Sequence, residues 1–344
     1  MIKVGVIGFG SSAQTFHLPL LQASSEFEVV AVCTSKPEVV TGKYPSIQPY
    51  PTTQELLASE HVDLMIITAP NALHFSLAKL CLDNNRHVVL EKPMATNSGE
   101  AQELVDLAKS KSLLLSVFQN RRWDGDFLSL KKIIEQKQLG SIRYFESHFD
   151  RFRPLVQKRW KEEPGPGSGI WFDLGSHLLD QAVCLFGEPL SLTAKCLALR
   201  ESAKTTDYFH VQLHYENLEV VLHSSCYSAS PNMRFKLEGT QGSYVKYGLD
   251  PQENQLKAGM SPKDINFGKE NIKEFGTLYR RESSSETIET EAGAYRDYYQ
   301  GIANALLRGA EPPVDCEGVV KIIKLLELAE KSSEEGKTLD LVTP

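Results

Sequence analysis

The stretch that decides the fold is Ile2-Lys3-Val4-Gly5-Val6-Ile7-Gly8-Phe9-Gly10-Ser11-Ser12-Ala13. It begins as an apolar run typical of a buried β-strand, passes through a glycine-rich turn and leads into a helical pattern. Gly8 can make the tight turn, Gly10 lets a backbone N–H approach a pyrophosphate, and the small Ala13 lets helix and strand pack closely. The partial positive charge at the helix N-terminus favours phosphate groups. The stretch therefore predicts dinucleotide binding rather than a merely structural turn.

Length and composition narrow the class of protein. A chain of 344 residues, 41% of them hydrophobic and 24% charged, is typical of a globular protein of two domains. The formal net charge of −7 argues against a nucleic-acid partner, and no apolar run is long enough for a membrane span. No signal peptide is expected, so we predict a cytoplasmic protein. The six cysteines have no Cys-x-x-Cys spacing and are expected to be buried free thiols.

The first third of the chain alternates strand and helix patterns. Buried strands are predicted near residues 29–33, 62–67, 87–90 and 113–118, which favours a Rossmann-type parallel sheet. Thr34-Ser35-Lys36 follows the second strand, where such folds bind the adenosine ribose. An NAD site usually has an acid there, whereas hydroxyls and a cation suit a 2′-phosphate, so NADP is preferred over NAD. An ordinary polar loop is the alternative.

The pattern changes after about residue 125. Runs at 142–149, 190–199, 208–215, 218–227, 233–238 and 243–247 predict strands, several of them alternating polar with apolar as in an antiparallel sheet with one solvated face. Helices are predicted at 127–136, 294–308 and 316–331, and a long loop from Pro251 to about Arg281. We predict a Rossmann domain over residues 1–120 and a substrate-binding and oligomerisation α+β domain over 121–344, with a large open, mainly antiparallel sheet.

Two positions follow the buried strand at 62–67. Asn71 lies where a helix N-cap is expected and could do no more than cap that helix. His74 falls in the first turn of the same helix, where a purely structural hydrogen bond is the alternative to contact with a cofactor.

Glu91-Lys92-Pro93 follows the strand at 87–90 directly. Carboxyl ends of strands in open α/β sheets face the ligand crevice, so Lys92 would meet the nicotinamide end of a dinucleotide. Its ammonium could hydrogen-bond a substrate hydroxyl and stabilise alkoxide character as hydride leaves. A surface salt bridge between neighbours is the alternative.

A second motif runs from Gly165 to Asp180, in which a glycine-rich loop leads into a helix that Gly187 is expected to end. Helical spacings of four and three place Asp173, His177 and Asp180 on one face. Histidine can take an alcohol proton near neutral pH, and an aspartate can orient it. A zinc site at His177 is a weak competing prediction, because no second histidine or thiolate stands at ligand spacing. No metal is expected.

Gly8-x-Gly10-x-x-Ala13, Glu91-Lys92-Pro93 and Asp173-x-Gly175-x-His177-x-x-Asp180 together resemble the glucose-fructose oxidoreductase, inositol dehydrogenase and MocA (Gfo/Idh/MocA) family along essentially the whole chain. Further stretches, Phe16-His17-x-Pro19-Leu20-Leu21, Asn120–Phe127 and Tyr208-Phe209-His210, look most similar to NADP-dependent scyllo-inositol dehydrogenases. The resemblance implies catalytic Lys92 and His177, with Asp173 orienting substrate and histidine. It also implies a cis Lys92-Pro93 bond and a dimeric or tetrameric assembly.

The resulting hypothesis is a dehydrogenase that transfers hydride reversibly between NADP(H) and a secondary alcohol of a cyclic polyol or sugar. The residues expected to bind the cofactor are Gly8, Phe9, Gly10, Ser12, Ala13, Thr34, Ser35, Lys36, Pro70, Asn71, His74, Glu91, Lys92 and Asn120. Those expected on the substrate side are Arg122, Trp160, Asp173, His177 and Asp180. Arg122 and Trp160 could equally be packing or salt-bridge residues.

Two other functions remain open at this point. One is a dehydrogenase for an aldose such as glucose or galactose. The other is a cofactor-sensing regulatory protein without turnover. The presence of both Lys92 and His177 favours an enzyme, because a sensor needs neither.

Overall fold

The computed structural model describes residues 1–59, 61–280 and 284–341; the side chain of Trp160 is also outside the described part. The strands are β1 Ile2–Ile7, β2 Phe27–Cys33, β3 Gln48–Tyr50, β4 Leu64–Ile67, β5 His87–Leu90, β6 Leu115–Val117, β7 Ile142–His148, β8 Ser191–Leu197, β9 Tyr208–His214, β10 Glu219–Ser225, β11 Met233–Gly239, β12 Gly242–Tyr247, β13 Gly276–Arg280, β14 Ser285–Ile288 and β15 Leu339–Asp340. The helices are α1 Leu18–Gln22, α2 Pro37–Lys43, α3 Thr53–Ser59, α4 His74–Asp83, α5 Ser98–Ser110, α6 Gly125–Glu135, α7 Ser176–Phe186, α8 Gln252–Lys257, α9 Tyr295–Arg308 and α10 Cys316–Glu335.

The first compact unit contains a six-stranded parallel sheet in the order β3-β2-β1-β4-β5-β6. Every residue of β4 is buried, as expected for a parallel sheet covered by helices on both faces. The strand order reverses between β1 and β4, and α/β sheets bind ligands at such a switch point. The predicted Rossmann-type fold is confirmed.

The first unit is assembled from three parts of the chain: Met1–Trp123, Gln252–Phe267 and Ala294–Lys321. Aromatic side chains of α9 complete its core. The ring of Tyr298 meets Phe118 edge to face at 4.9 Å between centroids, and its hydroxyl donates to Ser116 Oγ at 3.1 Å. Helix α9 therefore belongs to the nucleotide-binding fold although it lies far along the chain.

The second unit comprises Asp124–Pro251, Gly268–Gly293 and the chain from Ile322. Its nine-stranded sheet has the order β14-β13-β12-β11-β7-β10-β9-β8-β15, and only the β7–β10 pair is parallel. Alternate positions such as Phe145, Val211 and Leu237 are buried in one core with helical residues that include Leu130, Leu178 and Leu326. The predicted large, mainly antiparallel sheet is confirmed.

The opposite face of this sheet carries polar side chains. Tyr144, Glu146, His210, Gln212 and His223 alternate with the buried core positions and are half-buried. We call this surface the open face.

The structure divides the chain differently from the two consecutive segments expected, residues 1–120 and 121–344. Residues 252–267 contain α8 and belong to the first unit, whereas β13 belongs to the second. The long loop predicted from Pro251 to Arg281 was therefore wrong within its described residues; Arg281 itself is not described. Short elements with weak local periodicity caused this error.

Two smaller expectations were also tested. Cys184 is exposed, so the prediction that the cysteines are buried was wrong at this position. All six cysteines lie in the described residues, and none of them is in a disulfide. Across the described residues, no helix has the length and apolar character needed to cross a bilayer.

Candidate functional site

The glycine turn lies where β1 ends beside β4. Gly8 has φ +95°, and a Cβ at this position would stand 2.9 Å from Thr68 Oγ1. The Thr68 N–H in turn donates to the carbonyl of Ile7 at 2.8 Å. Only glycine fits this left-handed conformation and close approach, so the turn predicted at Gly8 has a physical cause.

Gly10 and Ala13 differ in their surroundings. A Cβ on Gly10 would meet no atom within 4 Å, which leaves open space beside an exposed backbone. Ala13 is completely buried and begins a π turn, Ala13–His17, that continues into α1. The loop is therefore open at Gly10, as close approach of a ligand requires, and packed at Ala13.

The segment predicted to hold the ribose follows β2. Thr34 is buried, and its hydroxyl accepts a hydrogen bond from the Lys36 N–H at 3.0 Å, whereas the side chains of Ser35 and Lys36 are exposed. Thr34 thus shapes the turn, and the two neighbouring side chains remain accessible.

Tyr44 links a further cation, Lys43, to the ring of Phe9 in the glycine turn. The Phe9 ring meets Tyr44 edge to face at 6.1 Å, and the Lys43 Nζ lies 5.4 Å from the centre of the Tyr44 ring. The sequence interpretation missed Lys43, since its place depends on a helix and turn that return the chain to the glycine loop.

The carboxylate of Glu91 joins β5 to the first helix. Its Oε1 accepts hydrogen bonds from Ser12 Oγ and, at 3.0 Å, from His17 Nε2, and its Oε2 accepts from the Lys92 N–H at 3.1 Å. His17 is fully buried and its Nδ1 lies 2.5 Å from the hydroxyl of Tyr299 in α9. Glu91 is therefore a structural junction between β5 and the first helix.

The electrostatics of this junction favour an ionised Glu91. Burial alone would raise its pKa, but hydrogen bonds from His17 and Ser12, with the charges of His17 and Lys92, outweigh burial and lower the pKa to about 2. The carboxylate thus holds the start of the Lys92 segment in one place.

The Lys92-Pro93 peptide bond is cis, as the family resemblance implied. His74 supports this segment: its Nδ1 lies 2.7 Å from the carbonyl oxygen of Pro93 and its Nε2 lies 2.9 Å from that of Ala69. The His74 side chain is fully buried, and burial lowers its pKa. These contacts favour the structural alternative for His74 over direct cofactor contact.

Two predicted positions lie in short 3₁₀ turns after strands. Asn71 opens the turn Asn71–Leu73, which follows the exposed Pro70, and α4 begins at His74 without a side-chain N-cap hydrogen bond. The N-cap prediction for Asn71 was therefore wrong, because a turn separates it from the helix. Asn120 is buried and opens the turn Asn120–Trp123, which contains the half-buried Arg122.

In the second unit, the glycine-rich loop leads into a π turn, Trp171–Gly175, and then α7. A Cβ on Gly175 would lie 2.1 Å from the ring of Trp171, which is fully buried and donates from Nε1 to the Leu326 carbonyl at 3.1 Å. Gly187 ends α7 with φ +76°, which confirms the predicted C-cap. The close contact at Gly175 holds the π turn against the core.

The predicted acid–base residues lie in this segment. Asp173 lies in the π turn, and its Oδ1 accepts a hydrogen bond from Lys161 Nζ at 2.5 Å. His177 and Asp180 are three residues apart on α7 and are 5% and 2% exposed. No metal-ligand group among the described residues includes His177, so the competing zinc prediction gains no support.

The sequence interpretation missed Lys161 and the contacts that hold its segment. Arg200 donates from Nε to Asp207 at 2.9 Å, from Nη2 to Glu162 at 3.2 Å and from Nη1 to the Leu155 carbonyl at 3.1 Å. This buried guanidinium ties the loop before the glycine-rich segment to the strand region of the same unit. The partners are 38 and 45 residues from Arg200 along the chain, which local spacing does not reveal.

The structure thus brings Ser12, His17, Glu91 and the Lys92 backbone together in the first unit, and Lys161 and Asp173 in the second. The meeting of Lys92 with His177 stays a prediction. The contact predicted for Trp160 also stays a prediction, because that side chain is not described.

Family comparison places this geometry in a known group. A family model described as "Oxidoreductase family, NAD-binding Rossmann fold" matches residues 2–119, and one described as "Oxidoreductase family, C-terminal alpha/beta domain" matches residues 131–341. The chain belongs to the Gfo/Idh/MocA oxidoreductase family. The resemblance stated from the three motifs is confirmed.

Curated relatives of this oxidoreductase match it along nearly its whole length. It is 43% identical over 343 residues to the uncharacterized oxidoreductase YdgJ of Escherichia coli (strain K12), covering 99% of each chain. It is 38% identical over 343 residues to the scyllo-inositol 2-dehydrogenase (NADP(+)) IolW of Bacillus subtilis (strain 168), covering 99% of this chain and 96% of IolW. A solved oxidoreductase structure from Bacillus cereus is 32% identical with a TM-score of 0.91, covering 100% of this oxidoreductase and 99% of that chain.

Proposed function

We propose that this oxidoreductase transfers hydride reversibly between NADP(H) and a secondary alcohol of a cyclic polyol or sugar. The observation that carries the proposal is the fixed Glu91-Lys92-Pro93 segment at the carboxyl end of β5 in an NAD-binding Rossmann unit. Hydrogen bonds from Ser12, His17 and Lys92 hold the Glu91 carboxylate, and His74 holds the Pro93 carbonyl. A lysine at such a strand end is placed for chemistry in the ligand crevice.

The cofactor would lie along the carboxyl edge of the parallel sheet. Its pyrophosphate would be bound by the backbone from Gly8 to Ala13, beside the open space at Gly10. The exposed Ser35 and Lys36, with Lys43 beside the Tyr44 ring that packs on Phe9, would hold a 2′-phosphate. When bound, the nicotinamide accepts or donates the hydride.

The protein's own groups would move the proton and stabilise charge. The Lys92 ammonium would hydrogen-bond the reacting oxygen and stabilise its alkoxide character. The His177 imidazole would take the hydroxyl proton during oxidation and return it during reduction. Asp173 would orient His177 and the substrate, with one of its oxygens held by Lys161.

The substrate and cofactor preferences are proposed from a relative and from the loop after β2. IolW is named a scyllo-inositol 2-dehydrogenase (NADP(+)), which favours a cyclic polyol and NADP here. NAD is the second cofactor to test, because the family model that matches the first domain is described as NAD-binding. Arg122, Trp160 and Asp180 are the proposed substrate-side residues.

The test is an assay of inositol isomers and aldoses with NADP⁺ and NAD⁺, following reduced cofactor by its near-ultraviolet absorbance. We expect turnover of a cyclic polyol with NADP⁺. Lys92→Met and His177→Asn should each lower kcat by about 10²–10³-fold while changing the cofactor Kd little. Lys263→Met, which changes an exposed lysine in the loop after α8, is the matched control and should leave kcat unchanged.

The two alternatives give different results in the same assay. Preferential turnover of glucose or galactose would identify an aldose dehydrogenase. Tight cofactor binding without turnover of any alcohol would identify a sensor and contradict the proposed reaction.

A further inference from the structure

Two histidines and an aspartate meet on the open face of the second sheet, separate from the residues assigned to hydride transfer. His148 ends β7, His223 is its register partner on the parallel neighbour β10, and Asp150 lies two residues after His148. The imidazole centroids are 4.7 Å apart. One ligand atom from each of the three side chains lies within 4.8 Å of the other two.

We propose that His148, Asp150 and His223 bind a divalent transition-metal ion of the zinc class. Two imidazoles and a carboxylate are ligands that zinc accepts, with water completing a tetrahedral site. In such a site, ligand atoms about 2.0–2.1 Å from zinc are roughly 3.3 Å apart. His148 Nδ1 lies 2.9 Å from Asp150 Oδ2, and His223 Nδ1 lies 3.0 Å from Asp150 Oδ1. The three side chains therefore need only small movements to enclose an ion.

The surroundings of His148 fit a metal ligand. Its Nε2 lies 2.7 Å from Glu146 Oε1, and Glu146 Oε2 in turn accepts a hydrogen bond from the Tyr144 hydroxyl at 3.0 Å. A proton on Nε2 leaves the Nδ1 lone pair for the ion. Metal-bound histidines commonly donate their other ring N–H to a carboxylate, which fixes the tautomer and the ring orientation.

Asp150 is held by the backbone around it. The Asp150 N–H donates to Asn232 Oδ1 at 2.7 Å, and its own Oδ1 accepts from the Ser225 N–H at 2.8 Å. The carboxylate is thus placed between the ends of β7 and β10 before any ion binds.

His223 supplies an independent observation. Its Nδ1 atom is buried and lies 3.0 Å from Asp150 Oδ1, at angles outside the range of a well-aligned hydrogen bond. A buried nitrogen without a hydrogen bond is costly unless it is otherwise occupied. A metal ion between the two side chains would occupy it. The charge of the site also suits a divalent cation, because the carboxylates of Asp150 and Glu146 both contact the His148 ring and together carry two negative charges.

The inference adds a site that the sequence did not predict, since no metal was expected. The sequence did not reveal the site because His148 and Asp150 are close in sequence whereas His223 follows 75 residues after His148. Only the parallel pairing of β7 with β10 brings the three residues together. The ion would tie the end of β7 to β10.

The test uses the full-length, tag-free protein carrying Cys184→Ser, which removes the exposed thiol as an alternative ligand. Chelator-treated protein is titrated with Zn²⁺ by calorimetry, and with Co²⁺ by visible absorption. We expect one ion per chain and the absorption bands of tetrahedral Co²⁺. His148→Ala, His223→Ala and the isosteric Asp150→Asn should each raise the Kd by about 100-fold or more.

His214→Ala is the matched control. His214 also lies on the second sheet, but its Nδ1 pairs with the single carboxylate of Glu219 at 2.8 Å. This variant should bind the ion as the parent does. Absence of saturable binding by the parent, or binding that survives all three ligand substitutions, would overturn the proposal. Thermal unfolding of each variant verifies that it is folded, and dehydrogenase activity is not needed for any of these measurements.

Discussion

Lys36 is an exposed cation at the start of α2, next to the exposed Ser35 and just beyond the end of β2. If Ser35 and Lys36 hold the 2′-phosphate, reversing the charge at Lys36 should weaken the binding of NADP more than the binding of NAD. We predict that Lys36→Asp raises the Kd for NADP by about tenfold or more, a change of about 1.4 kcal/mol or more, and raises that for NAD much less. Titration of each cofactor by calorimetry or fluorescence measures both constants.

Lys263→Asp provides the control for this charge reversal. Lys263 is exposed and lines a surface depression with Pro19 and Ala23. The Lys263→Asp substitution should change neither the Kd for NADP nor the Kd for NAD. If Lys36→Asp lowered the affinity for NADP and for NAD equally, the role given to Lys36 would be refuted.

How far residues could be predicted depends on how local their cause is. The need for glycine at Gly8 follows from one turn and was correctly predicted from the sequence. His74 was left between two roles, because its acceptors at Ala69 and Pro93 come from two different strand ends. Lys161 was missed because its pairing with Asp173 depends on a loop that buried Arg200 holds.

At the scale of elements, the π turn Trp171–Gly175 depends on one close contact. A methyl group on Gly175 would overlap the buried Trp171 ring, so ring or backbone must move. We predict that Gly175→Ala lowers the free energy of unfolding by about 2 kcal/mol and reduces activity by displacing Asp173 and His177. Urea unfolding and steady-state kinetics measure the two effects.

Gly165→Ala is the matched substitution in the same glycine-rich segment. Gly165 is exposed, and a Cβ there would meet no atom within 4 Å. We expect Gly165→Ala to change the free energy of unfolding by no more than about 0.5 kcal/mol. Comparable destabilisation by both substitutions would mean that the Trp171 contact is not the cause.

The junction of the first helix with β5 should give a characteristic pH dependence. Glu91 has a pKa of about 2 in the folded protein against an ordinary value of 4.5, so its ionised form stabilises the fold. This contribution is complete above about pH 4.5 and is lost as the pH falls toward 2. We predict that Glu91→Gln lowers the free energy of unfolding by about 2 kcal/mol near neutral pH, and that its difference from the parent shrinks on acidification.

Urea unfolding at a series of pH values measures this difference. Glu28→Gln, on an exposed position of β2, is the control and should change the free energy of unfolding by no more than about 0.5 kcal/mol. A difference for Glu91→Gln that is equally large in acid and at neutral pH would contradict the assignment.

Strands were easier to predict than short helices such as α8. The alternating pattern of β9, Tyr208–His214, places every second residue in the core and predicted both the strand and its buried face. Helix α8 has only six residues and no such pattern, so its membership of the first unit followed only from the structure. Long-range pairing, as of β7 with β10, leaves no local sequence signal.

At the scale of the whole molecule, the open face predicts self-association. One face of the nine-stranded sheet packs on helices, whereas the other carries half-buried side chains such as Gln212 at the centre of β9. A symmetric interface would use this surface in both subunits. We predict a homodimer or homotetramer by light scattering, and about tenfold weaker association of Gln212→Glu.

Gln54→Glu, on an exposed position of α3, should leave the assembly intact. A monomeric parent protein at micromolar concentration, or equal behaviour of the two variants, would count against this interface.

The discontinuous first unit has a consequence for biosynthesis. Tyr298 and Tyr299, which cover Phe118 and bind His17, emerge from the ribosome only after the whole nine-stranded sheet apart from its last short strand has been translated. The nascent nucleotide-binding sheet therefore stays incompletely covered while residues 124–297, about half of the 344-residue chain, are translated. A fragment released at Trp123 would expose those aromatic surfaces and be a natural client for chaperones.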